Sequence, residues 1–334
     1  MDKKKINKEN KIQLKEEEQF LRPQTLNQYL GQDHLKKILK IYLKAAQQRK
    51  ETLDHLLFYG PPGLGKTTLA KIIANELKVG FKMISAAHIE KIGDLTIILS
   101  NLKKGDVLFI DEIHSLPRNV EEILYSVMED YFLDIIIGKN EEKRTIRINL
   151  PPFSLVGATT KFGNITFPLR DRFGLILKLN YYTIDELNAI IERTAQVYGS
   201  QIEKKAILEL ARRSRGTPRL ANRLFRRTRD FAEIFSNKII THEIALETLD
   251  QLKIDNNGLN ETDYHYLINL VYKFHNGPVG IKNLATTIGE EIFTIEEVYE
   301  PYLIKEGYIK RTARGRIATP LAQELLKQKK IYFK

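Results

Sequence analysis

No cysteine occurs among the 334 residues, so neither a disulfide framework nor a thiolate metal site can form, and a cysteine nucleophile is excluded. That fits a reducing compartment without requiring one. Long apolar runs are missing too: stretches such as "VLFI" and "DIIIG" fall far short of the roughly 20 residues that span a bilayer. The opening "MDKKKINKENKIQLKEEEQF" has no apolar signal core, which leads us to expect a cytoplasmic protein with no membrane partner. These first twenty residues are charged and lack periodicity, and are expected to be mobile. No internal repeat is evident, and the histidines lack metal-ligand spacing such as H-E-x-x-H.

What is present is apolar surface and positive charge. Hydrophobic residues make up 43% of the chain, enough for two or three compact cores. Fifty-three Lys and Arg against 42 Asp and Glu leave a formal charge of +11, which suits a polyanionic partner such as nucleic acid. A generally Lys-rich chain would show the same balance, so the distribution decides. Eight arginines and no acid lie between Arg212 and Arg229.

From 21 to 182, buried-type strands ("HLLFYG", "VLFID", "FSLVGAT") alternate with helical patterns ("KTTLAKIIANEL", "VEEILYSVMEDY"), as in a parallel sheet covered by helices. Residues 183–254 read as helical only, a small all-α domain. After a linker at "DNNG", residues 255–334 read as short helices followed by "YIKRTARGRIATP", whose flanks alternate around a Gly-containing turn. Helices and then a hairpin describe a winged helix-turn-helix.

"GPPGLGKTT" (Gly60 to Thr68) fits G-x-x-x-x-G-K-[ST] between a strand-like and a helix-like segment, the context that phosphate-binding loops require. Gly63 and Gly65 turn backbone N–H groups toward phosphate, Lys66 reaches the β and γ phosphates, and the Thr67 hydroxyl ligates Mg²⁺. In "VLFIDE" four apolar residues deliver two carboxylates to a strand end. Asp111 suits the Mg²⁺ shell and Glu112 suits an attacking water, the division of labour of phosphoryl transfer to water. Taken alone, each motif also fits a glycine-rich turn or a solvated strand end.

Together with "VLFIDEIH", "MEDY", "LPPFSLVGATT", "PLRDRFG", "RGTPRLANRLFRRTRDFAE", "GPVG", "EPYLI" and "RTARGR", the loop resembles the AAA+ ATPases, and among them the Holliday-junction branch-migration motors. The match runs from "LRP" to "RTARGRIAT", and its ordered blocks are far more specific than the loop and acid pair alone. The resemblance implies an AAA+ domain, a helical lid and a winged-helix head that together drive branch migration with ATP and Mg²⁺ as a homo-hexamer around duplex DNA. It implies RuvA as partner, with RuvC a further one.

Carried over by residue, it implies that Leu21, Arg22 and Tyr182 line the base pocket, that Thr68 joins Thr67 on the phosphates, and that Glu129, Asp130 and Tyr131 approach the nucleotide. It makes Thr159 and Arg219 sensors of the nucleotide state and Arg172 a finger acting on the next subunit, and it puts Arg311 and Arg316 on DNA. Beside it, the residues speak for themselves. Thr159 follows an apolar strand, where α/β sheets bind ligands, or is a plain loop threonine. Arg219 follows Pro218 at a helix start, where a cation opposes the dipole and a phosphate would relieve it; a solvated arginine is the alternative. Tyr182 suits a core as well as a base. In "PLRDRF" Asp171 can satisfy only one arginine well; the resemblance places Arg172 against the neighbour's γ-phosphate, and we expect Asp171 to pair with Arg170 or with a base of the neighbouring subunit.

Lys310, Arg311, Arg314 and Arg316 cluster at the expected hairpin tip, suited to phosphates rather than to sequence readout, or else form a solvated basic turn. Between Glu129 and Asn149, "FLDIIIG" and "RTIRINL" flank "KNEE" as a second hairpin. Ile135, Ile136 and Ile137 put apolar side chains on both faces, so a projecting hairpin would want a partner, which the resemblance identifies as RuvA; two ordinary core strands are the alternative. The loops "SAAHIEK" and "HSLPRN" depart from the family's usual wording, and neither is expected to touch the chemistry. His114 is read as a polar residue on the following helix rather than a γ-phosphate sensor.

"DEIH" also spells a DEx-H box, but that helicase class needs two RecA-like domains and this chain has one phosphate loop. A clamp-loader-like ATPase would lack the terminal winged helix. An ATP-switched DNA-binding regulator would hold a junction without moving it.

Overall fold

The computed structural model describes residues 22–137 and 144–329. Leu21 and the "KNEE" turn therefore lie outside the described residues. The chain divides into two compact units between Tyr182 and Thr183.

In the first unit the strands are β1 (Leu56–Tyr59), β2 (Phe81–Ser85), β3 (Val107–Asp111), β4 (Phe132–Ile137), β5 (Arg144–Asn149), β6 (Ser154–Thr159) and β7 (Leu175–Lys178). Five of them form a parallel sheet in the order β2-β3-β6-β1-β7. The middle strands β3, β6 and β1 read as unbroken apolar runs because helices cover both faces of a parallel sheet. The edge strands β2 and β7 were not anticipated, since the first is only half-buried and the second alternates buried and exposed residues. Around the sheet lie α1 (Asp33–Arg49), α2 (Lys66–Leu77), α3 (Ile92–Ser100), α4 (Arg118–Asp130) and the short α5 (Phe167–Asp171). Leu108, Ile110, Leu124, Phe153, Leu155 and Phe173 centre the core on the α4 side.

Because the sheet is parallel, the carboxyl ends of β1, β3 and β6 emerge at one edge. Tyr59 pairs with Thr159 and Ile110 with Gly157, so the phosphate loop, Asp111 and Thr159 start from neighbouring strands. β4 and β5 pair antiparallel with each other, Ile135 opposite Ile146, and stay outside the main sheet. They are a separate hairpin and not two core strands.

In the second unit, α6 (Ile184–Val197), α7 (Lys204–Arg212), α8 (Pro218–Phe235) and α9 (His242–Gln251) come first. Thr183 and Glu186 form a capping box that starts α6, and Thr241 caps α9. This part is not purely helical: β8 (Gln201–Ile202) and β9 (Ile239–Ile240) make a two-residue parallel ladder, too short to leave a period in the sequence. The winged helix follows, with α10 (Glu261–Ile268), α11 (Ile281–Ile288), α12 (Glu300–Lys305), the antiparallel pair β10 (Ile309–Thr312) and β11 (Gly315–Ala318), and α13 (Pro320–Gln328). Its core gathers Tyr266, Leu270, Leu284, Ile295, Leu303, Ile309 and Leu326. Arg213 Nη1 donates to Ile254 O (3.0 Å) and Arg215 Nε to Gly258 O (2.8 Å), while the Arg215 guanidinium pairs with buried Asp263 and lies over the Tyr302 ring. The Arg215 contacts join the lid to the winged helix, and the Arg213 bond fixes the end of the lid next to them.

Among the described residues no helix is long and apolar enough to cross a membrane.

Candidate active site

The phosphate loop is built on backbone geometry that only glycine tolerates. At Gly60 φ is +141° and a Cβ would stand 2.5 Å from the Leu179 carbonyl oxygen; at Gly65 φ is +101° and a Cβ would meet the Tyr29 hydroxyl at 2.7 Å. Gly63 is also left-handed, at +79°. The loop leads into α2 at Lys66, so the N–H groups of Lys66, Thr67 and Thr68 belong to a first helical turn, which lacks intrahelical acceptors and suits an anion. Lys66 is buried, and its Nζ donates to Gly60 O (2.8 Å) and Pro61 O (3.0 Å). Carbonyl oxygens thus hold the ammonium within the loop.

Two phenols brace the loop from behind. Tyr182 donates its hydroxyl to Tyr29 Oη (2.8 Å), and both reach the Leu64 carbonyl, at 3.1 Å from Tyr29 and 3.3 Å from Tyr182. Tyr182 is buried here, 6% exposed, as a support of the loop. Tyr29 escaped the sequence reading because nothing local marks it. Arg22 is exposed, its carbonyl accepting from Gln24 Nε2.

At the end of β3, burial first and then the neighbouring Glu112 carboxylate push the Asp111 carboxyl above the usual range. A divalent cation would relieve that crowding of negative charge, so Asp111 fits Mg²⁺, and Thr67 in the first turn of α2 has a hydroxyl of the chemistry such an ion takes. Glu112 behaves oppositely. Burial works to raise it, but hydrogen bonds from His114 and from the Thr160 N–H and hydroxyl, with the charge of Lys66, leave its carboxyl below the usual range. Both Thr160 donors lie 3.0 Å from Glu112 Oε2, and His114 Nδ1 is 3.2 Å away.

That geometry corrects the reading of "HSLPRN". Glu112 itself is left-handed (φ +48°), which reverses the chain into a tight turn at Ile113–Ser115 and swings His114 back over the end of β6. There His114 Nδ1 lies 2.9 Å from Thr159 Oγ1 as well as beside Glu112. His114 is therefore part of the site, not a bystander on the next helix. Thr159 is fully buried, its hydroxyl also accepting from Lys161 N (2.9 Å), and the residue that touches Glu112 is Thr160.

In "PLRDRF" neither arginine pairs with the exposed Asp171. Arg170 donates to the carbonyls of Phe162 (3.4 Å) and Ile165 (3.2 Å) and lies over the Phe162 ring, so the expected Arg170–Asp171 pair is not formed. Arg172 caps α5, donates from Nη1 to Pro168 O (2.8 Å), lies over the Tyr125 ring and pairs with Glu129 (3.3 Å). Of the trio expected near the nucleotide, Glu129 is thus brought to Arg172, Asp130 is exposed, and Tyr131 packs toward the rings of His55 and Phe153.

In the second unit Arg219 occupies the first turn of α8, exposed and in no ion pair among the described residues. The basic cluster around it is largely neutralised: Arg212 and Arg213 pair with Glu209, Arg215 with Asp263, Arg227 with Asp230 and Arg229 with Glu233. On the wing, Lys310, Arg311 and Arg314 are exposed at or beside the hairpin turn, whereas Arg316 is 13% exposed. Arg316 reaches Glu300 (2.9 Å) and Glu296 (2.9 Å), and Arg311 also pairs with Glu300, a fully buried carboxylate that accepts from the Tyr266 hydroxyl (3.0 Å). Sequence distance hid this network. On the β4–β5 hairpin, Asp134 pairs with Arg147, whose guanidinium lies over Phe132, and Ile146 is 47% exposed.

Three family models cover the chain in order: the Holliday junction DNA helicase RuvB P-loop domain over residues 21–179, the RuvB AAA lid domain over 182–255 and the RuvB C-terminal winged helix domain over 256–327. The Holliday junction branch migration complex subunit RuvB of Phytoplasma mali (strain AT) is 61% identical over 330 residues, covering 98% of this chain and 99% of the relative. Its counterpart in Acholeplasma laidlawii (strain PG-8A) is 60% identical over 311 residues, 93% of this chain and 92% of the relative. Among solved structures, the Thermotoga maritima RuvB Holliday junction branch migration motor superposes with a TM-score of 0.85 at 46% identity, covering 94% of this chain and 99% of that one.

Proposed function

The chain belongs to the RuvB family, and from that premise we propose that it is an ATP-driven motor that moves Holliday junctions by branch migration. In this reading residues 21–182 are the ATPase domain, 183–254 the lid and 255–334 the DNA-binding head, with 1–20 as a separate N-terminal segment.

The observation that carries it is the ionised Glu112 carboxylate, fixed by Thr160 and His114 beside Lys66, in a chain that also ends in an arginine-bearing wing. Lys66 exchanges its two loop carbonyls for phosphate oxygens of ATP, and the first turn of α2, with Gly63, Gly65, Thr67 and Thr68, holds the rest of the triphosphate. Glu112 orients the water and accepts its proton. Mg²⁺, held by Asp111 and Thr67, would supply neutralisation of the phosphate charge. Thr159 and Arg219 report the nucleotide state, Leu21, Arg22 and Tyr182 bound the base pocket, Glu129, Asp130 and Tyr131 approach the nucleotide, and Arg172, paired with Glu129, serves the site of the next copy in a hexameric ring.

Lys310, Arg311, Arg314 and Arg316 hold DNA phosphates, with Glu300 anchoring the Arg311 and Arg316 side chains on the wing. The β4–β5 hairpin, with Ile135, Ile136 and Ile137, docks RuvA, and RuvC joins the same assembly. The cytoplasm is where this work takes place. The test is ATPase rate with and without four-way junction DNA and RuvA: the motor reading requires stimulation by both, whereas a rate indifferent to DNA would refute it and favour a nucleotide-switched regulator.

A further inference from the structure

We infer that Tyr125 is a positioning residue that holds Arg172 ready for a neighbouring copy's nucleotide; the inference rests on the reading of Arg172 as that finger. A finger works through preorganisation, because an arginine that must be ordered at the moment of reaction forfeits part of what it contributes. In this chain three sides of the guanidinium are already fixed. The Tyr125 ring lies beneath it at 4.7 Å, Nη1 donates to Pro168 O at 2.8 Å, and Nε faces Tyr125 O at 3.4 Å. Only the Nη2 end meets a group that can be exchanged, the Glu129 carboxylate, whose side chain is 56% exposed. A carboxylate there is a fitting stand-in for a phosphate oxygen, since both accept from the same planar fork.

Tyr125 is itself held on purpose-built contacts. Its hydroxyl donates to Glu121 Oε1 (3.0 Å) and stands 3.2 Å from Thr166 Oγ1, while Thr166 also hydrogen-bonds to Glu121. Glu121 is buried in α4, and Thr166 caps α5, accepting from Leu169 N. Tyr125, Glu121 and Thr166 close a triangle between the helix that carries the ring and the helix that ends at Arg172. Burial, foremost, keeps the phenol's pKa raised, so it remains a donor.

The experiment mixes two inactive proteins. Lys66→Ala copies supply a finger but no working site, and Arg172→Ala copies supply a site but no finger, so mixed rings regain ATPase activity. Adding Tyr125→Leu to the Lys66→Ala copies should lower the regained rate about tenfold, between the sizes of an exposed and a desolvated cation–π contact, with the ATP KM unmoved. The same change on the Arg172→Ala copies should cost far less, and Tyr125→Phe, which keeps the ring, should recover most of the rate. Equal losses from both placements, or none from the first, would overturn the inference. If the parent mixture regains nothing although mixed assemblies form, the finger reading of Arg172 fails and takes this inference with it.

Discussion

Glu112 is held by three contacts, from the Thr160 N–H and hydroxyl and from His114, and in the proposed mechanism turnover depends on its carboxylate. Glu112→Gln keeps the shape but loses the base. We expect it to bind ATP with near-parent affinity and to hydrolyse it about 10²- to 10⁴-fold more slowly, as filter binding and phosphate release would show. His55 gives a second residue-scale expectation, this one for stability. Its Nδ1 accepts from Leu155 N (2.8 Å) and its Nε2 lies 3.0 Å from Met128 O, so the neutral ring fits the buried slot, and burial lowers its pKa from 6.5. The unfolded chain therefore binds this proton more readily than the folded one, and the contribution is complete above pH 6.5 and lost as pH falls from there toward the folded value. Thermal unfolding followed from pH 8 to pH 5 should show Tm dropping below about pH 6.5, with a flatter profile in His55→Gln.

At the scale of elements, the wing depends on one buried carboxylate. Glu300 is fully buried and receives Arg311, Arg316 and Tyr266, so its removal strands a mostly buried guanidinium. Glu300→Ala should destabilise the winged helix by about 3 kcal/mol in denaturant titration, whereas Lys310→Ala, on an exposed side chain, should leave stability unchanged. These pairings show where the sequence stops being legible. The phosphate loop, the acids ending β3, the central strands and the wing hairpin each announce themselves within a dozen residues, through glycine spacing, unbroken apolar runs or alternation. His114, Thr160 and Tyr29 do not, because their partners Glu112, Thr159 and Leu64 meet them only through a left-handed reversal or across the sheet. β2 and β7 were missed for a related reason: an edge strand buries too little to leave a continuous pattern.

Across the whole molecule, the order of parts states the mechanism: a nucleotide-hydrolysing unit, then a lid tied to a winged helix through Arg215 and Asp263. A net charge of +11 suits a duplex track, and Lys310, Arg311 and Arg314 are exposed on the wing. The central claim is that hydrolysis at Glu112 moves a junction. It is tested most directly by following a labelled four-way junction with homologous arms in the presence of this protein and RuvA. With ATP the account predicts conversion to duplex arms, and with Glu112→Gln protein it predicts an intact, bound junction. Conversion at the parent rate by the Gln variant, or a junction that stays bound and unmoved while the parent protein hydrolyses ATP, would contradict it.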